Sequence, residues 1–133
     1  VIVGRHLVVL GAVLTFLDVA VPIHSADEEQ TLFPRLRESL GPTAGPTPMD
    51  CMEREHVQHQ ALLAALKRAV VKRDAKAAGQ AALSIVAEYR EHIGKEEEIL
   101  FPWARQTLTD PVVVESMTRQ MRQRRMDAGM LSC

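Results

Sequence analysis

Apolar residues recur along this chain at helical spacing, and no stretch sustains the alternation of a half-buried strand. The pattern predicts a first helix from about Leu7 to Ser39, ending at Gly41. Residues 41–48, Gly-Pro-Thr-Ala-Gly-Pro-Thr-Pro, cannot continue it, because proline fixes φ and lacks an N–H while glycine favours turns. A second helix starts near Pro48 or Met49, with Thr47 as N-cap, and runs to about Lys72. Leu62, Leu63, Leu66 and Val70 form its apolar stripe. A polar break at Arg73-Asp74 leads into a third helix, about Ala75 to Leu108. Asp110-Pro111 opens the last, since aspartate caps well and proline suits the first helical position. Short connections between long helices make neighbours antiparallel, so the expected fold is an all-α, up-down helical bundle. Residues 1–133 read as a single domain, with 41–48 a surface loop and 110–133 a C-terminal helix and tail.

The chemistry lies in a repeat. His24-Ser-Ala-Asp-Glu28-Glu29-Gln-Thr-Leu32-Phe33-Pro34 aligns with His92-Ile-Gly-Lys-Glu96-Glu97-Glu-Ile-Leu100-Phe101-Pro102, and Arg37 falls in register with Arg105. Residues at i and i+4 share a helix face about 6 Å apart along the axis, so each imidazole converges with a carboxylate. One such pair is an ordinary surface contact; two copies within one longer pattern point to metal ligation. Imidazole and carboxylate together suit iron, manganese or zinc, and two such helices face to face can hold two ions. Glu29 and Glu97, at i+5, point away from that face and read as solvated or outer-layer groups. Pro34 and Pro102 should kink the helix just beyond the site, with Phe33 and Phe101 packed below.

The second helix adds His56 and His59, both on the Leu63, Leu66, Val70 stripe. A lone histidine on an apolar face is usually a core residue. Here four of the five histidines fall on presumed inward faces, which favours ligation. Glu53-x-x-His56 also fits the Glu-x-x-His step of ferritin-like di-iron bundles, a weaker analogy because the third helix places His before Glu.

Composition narrows the rest. At 47% apolar but only 4% aromatic, the core must be aliphatic, and a net charge of -1 suggests no nucleic-acid surface. Arg119, Arg122, Arg124 and Arg125 read as a solvated helix end. Two cysteines, Cys51 and Cys133, give no disulfide framework, so a reducing cytoplasm is the expected compartment. The apolar run Leu7–Leu17 behind Arg5 superficially resembles a signal sequence. It is too short to span a bilayer and is interrupted by Asp18, so it reads as a buried helix with no membrane role.

These motifs resemble the hemerythrin-like family of HHE cation-binding domains: the doubled His…Glu-Glu…Leu-Phe-Pro pattern, Glu55-His56 on the helix between, and the closing Met121-Arg122-Gln123-Arg124-Arg125. The resemblance implies a four-helix bundle holding two non-haem irons. His24, His56 and His92 would then be terminal ligands and Glu28 and Glu96 bridging ones. It further implies binding, sensing or reaction with dioxygen or a related oxidant such as peroxide or nitric oxide. Iron storage or sensing without catalysis is the alternative, as is a helical interaction domain with a degenerate site. Enzyme activity stays undecided, with peroxide reduction the candidate. The family's opening helix, with its own histidine, has no counterpart. His6 lies eighteen residues before His24, roughly 27 Å along a continuous helix. That helix is absent, lies upstream or comes from another chain, and His59 is the candidate replacement ligand. The uncovered groove would favour a homodimer, or docking of the last helix there.

Overall fold

The structure, a computed structural model, describes residues 4–42 and 45–130; loop residues 43–44 and the tail at 131–133, with Cys133, lie outside them. The described residues contain helices and turns and no strand, as the periodicity implies. Helix α1 (Gly4–Asp27) passes through a π-helical turn (Glu28–Leu32) into α2 (Phe33–Leu40). After the loop come α3 (Pro48–Val71) and α4 (Ala75–Lys95), which passes through a second π-helical turn (Glu96–Leu100) into α5 (Phe101–Thr107). Helix α6 (Pro111–Asp127) closes the fold.

The punctuation works as local chemistry dictates. Thr47 and Asp50 form a capping box, the Asp50 carboxylate accepting from the Thr47 backbone N–H at 2.6 Å. Asp110 caps α6 by accepting from the Val112 N–H at 2.9 Å, with Pro111 behind it. The two prolines inside the motifs act differently from expectation. The chain takes a wide turn immediately before each proline, with the Phe33 N–H bonded to the Glu28 carbonyl and the Phe101 N–H to that of Glu96. A five-residue step of this kind relieves the crowding that proline imposes on the preceding turn, and such turns concentrate at functional sites.

Helix α3 is the central element, packing on both α1 and α4, whereas α1 and α4 touch each other little. Two apolar clusters fix this arrangement. One joins Leu32, Phe33, Leu36, Met49, Met52, Leu100 and Met117; the other joins Leu14, Leu63, Leu66, Ala69 and Ala78. Following these clusters along each helix, α1 runs antiparallel to α3 and α3 antiparallel to α4, the expected up-down order. The histidines fall between the two clusters.

Two expectations need correction. The run Leu7–Leu17 is not a buried helix: Leu14 is 4% exposed, but Val8 is 75% and Phe16 63% exposed. Burial needs a covering surface, and among the described residues none lies over this face. The helix spanning Arg5–Leu40 is moreover long and apolar enough to cross a membrane by length and composition alone. Core helices and signal sequences meet the same criterion. The arginine-rich end of α6 is not wholly solvated either. Arg124 and Arg125 pair with buried Asp27 at 2.9 and 2.6 Å, and Arg124 also donates to Thr31 at 2.6 Å. A buried carboxylate requires such partners. They dock α6 against α1 and its π-helical turn.

Candidate metal centre

Helix geometry brings both motifs to one point. One ligand atom from each of His24, Glu28, His92 and Glu96 lies within 4.8 Å of the others. The His24 Nε2 is 3.5 Å from Glu28 Oε1 and 3.2 Å from Glu96 Oε1, joining the two copies. His92 Nε2 lies 2.9 Å from the same Glu96 oxygen. From α3, His56 Nε2 comes within 3.0 Å of Glu28 Oε2. Glu28, His56, His92 and Glu96 are buried, whereas the His24 side chain is 49% exposed.

Several of these contacts are close without being hydrogen bonds. Both Glu28 oxygens and the Nε2 atoms of His56 and His92 are buried with no hydrogen-bond partner. Leaving one such atom unsatisfied costs about 1–3 kcal/mol. Four gathered at one point are what a cation would satisfy together. This donor set fits a metal ion.

The far sides of the rings support that reading. His56 Nδ1 meets Glu29 Oε1 at 2.6 Å, and His92 Nδ1 meets Glu55 Oε2 at 2.7 Å. A carboxylate at Nδ1 holds the proton there, so each neutral ring presents an Nε2 lone pair to the centre. Glu55 also accepts from Lys95 and, at 3.4 Å, from the Cys51 thiol. Burial pushes its carboxyl up, but these partners and His92 outweigh it and hold it at about 2.

The titrating groups reflect the crowding. Hydrogen bonding to Glu96 raises His24. Burial opposes the charged forms of His56 and His92, but their carboxylate neighbours leave both above the ordinary value. Burial raises Glu28; it also opposes charge on Glu96, but the adjacent His24 and His92 imidazoles overcome it there and lower the carboxyl. His59 goes the other way, to about 4, through burial and the nearby His92 and His56.

The hemerythrin HHE cation binding domain model matches residues 4–104, from α1 through both motifs into α5. The chain belongs to the hemerythrin HHE cation-binding domain family. No curated protein and no solved structure matches it. Helix α6, which carries the Met121–Arg125 stretch, lies beyond the matched residues.

Within this HHE domain, His24, Glu28, His92 and Glu96 come together as the repeat predicts, and His56 adjoins them. His59 is buried on the expected face, but its Nε2 is not in the cluster and has no partner. His6 is exposed near the start of α1, far from the centre. Glu53 pairs with Arg37 at 2.9 Å, so the ferritin-like Glu-x-x-His step is not used. The repeat symmetry breaks at the outer carboxylates: Glu29 reaches His56, but Glu97 is exposed and Glu55 from α3 serves His92. In the sequence Glu55 stands out only by its adjacency to His56, and Tyr89 belongs to no motif. Tyr89 lies three residues before His92, and that spacing could have placed it on the ligand face.

Proposed function

We propose that this HHE domain is a non-haem di-iron protein that binds, senses or reacts with dioxygen or a related small oxidant. His24, Glu28, His56, His92 and Glu96 would hold the ions, Glu28 and Glu96 lying between the histidines of three helices. The convergence of unpartnered buried Nε2 and carboxylate atoms carries this reading. Imidazole and carboxylate also accept manganese and zinc, so the ligand set alone favours no one of them. Iron, when bound, supplies the redox and ligand-binding chemistry with small oxidants. The chain supplies the remainder. Glu29 and Glu55 keep a proton on the Nδ1 atoms and fix ring orientation. Phe33, stacked parallel to His56 at 6.4 Å, and the apolar cluster around it keep water from one side. His24, half-exposed, is the ligand from which metal can exchange, an observation that favours iron storage or sensing as the second reading.

Anaerobic iron(II) loading followed by dioxygen or peroxide tests the proposal. Charge-transfer bands that appear with the oxidant are expected, and repeated peroxide turnover would mark an enzyme. Iron-loaded protein with a spectrum indifferent to both oxidants would overturn the reactive reading and leave storage.

A further inference from the structure

Beside the ligand cluster, between α1 and α4, lies a cavity of about 350 Å³. Ala20, Val21 and Ile93 give it an apolar lining, and His24, His56, His92 and Glu96 open onto it. Three further polar side chains face the same space, Ser25, His59 and Tyr89. The His59 Nε2 and the Tyr89 hydroxyl are each buried and without a hydrogen-bond partner, and His59 as a whole is 2% exposed. Neither belongs to the cluster of converging ligand atoms.

Their placement is fixed by packing. The two rings stack with centroids 4.2 Å apart and planes 21° from parallel. His59 in turn stands edge-on to His92 at 4.7 Å. Stacking on a ring that is itself held against a candidate ligand restricts the Tyr89 rotamer, so its hydroxyl is presented with little loss of side-chain freedom. A buried donor left unsatisfied is unfavourable unless something fills the place. The cavity admits that something.

We infer that the Tyr89 hydroxyl and the His59 Nε2 form a polar pair that receives the outer atom of a small anionic ligand held in this cavity. The ligand class is a small polyatomic anion: one end on the metal ions proposed above, the other accepting a hydrogen bond from Tyr89. This inference rests on the metal reading. His59 then serves as the second polar group of the cavity and as a platform for Tyr89 rather than as a replacement ligand. Single-atom anions have no outer atom and gain nothing from the pair.

Optical titration of the iron(III)-loaded protein with azide and with fluoride tests it, alongside metal analysis and thermal melting of each variant. Tyr89→Phe keeps the stacked ring and removes only the hydroxyl. It should weaken azide about tenfold, the expectation for one hydrogen bond to a charged group, and leave fluoride, iron content and melting unchanged. His59→Phe should retain iron and also weaken azide. Unchanged azide affinity in Tyr89→Phe overturns the inference. Loss of iron in His59→Phe overturns it too and makes His59 a ligand. A wild-type protein that takes up no metal overturns the metal reading first, and this inference with it.

Discussion

Metal binding should stabilise this fold by an amount set by the metal's concentration relative to its dissociation constant. The metal-free centre buries four unpartnered atoms on Glu28, His56 and His92, each unfavourable by about 1–3 kcal/mol. A cation that binds the native state and not the unfolded chain adds about 2.7 kcal/mol at one hundred times its dissociation constant. For a chain of 133 residues, typical unfolding entropies convert that to a rise in melting temperature of about 10 °C. The assay is thermal unfolding followed by circular dichroism, with chelated protein against protein given anaerobic iron(II), cobalt(II) or zinc(II). The Glu28→Ala, Glu96→Ala double variant removes both carboxylates lying between the histidines and should show a rise of no more than about 2 °C. An equal rise in wild type and double variant would place the stabilising metal elsewhere. No rise with any of the three would refute the reasoning outright.

Three further outcomes follow from the surroundings of the centre. Glu55→Gln should weaken metal binding about tenfold to a hundredfold in a competition assay with a coloured chelator, since the amide no longer holds the His92 Nδ1 proton as strongly; unchanged affinity would deny Glu55 that role. Asp27→Asn leaves Arg124 and Arg125 short of their carboxylate and should cost about 1–3 kcal/mol in urea unfolding, discounted because both arginines are partly exposed. His59, held at about 4 when folded, takes its proton first in the unfolded chain. Its contribution is therefore present above the unfolded value near 6.5 and lost as pH falls towards 4. Metal-free His59→Leu should accordingly lose less stability than wild type between pH 7 and 4, and parallel pH profiles would contradict this.

Helix boundaries were legible where local chemistry sets them. Thr47-Pro48 and Asp110-Pro111 start helices because capping and proline geometry act within a few residues. The convergence of His24–Glu28 with His92–Glu96 was legible because the two pairs repeat a spacing that only a helix turns into one shared face. What escaped depends on partners far away in the chain. Asp27 pairs with arginines 97 and 98 positions on, so Arg124 and Arg125 read as solvated. Glu55 serves His92 across two helices, and no periodicity within α3 announces it. The π-helical turns hid behind prolines that ordinarily signal a kink. Leu7–Leu17 is apolar on every side, so its pattern could not say which face has cover; with α1 and α4 spread apart on α3, much of it has none among the described residues.

The central claim is that residues from three helices hold two metal ions. Its most direct test is anaerobic iron(II) titration with metal analysis of the desalted protein. About two irons per chain are expected, falling below one in the His24→Ala, His92→Ala double variant while helical content holds. No retained metal in wild type, or equal metal in wild type and variant, would contradict it.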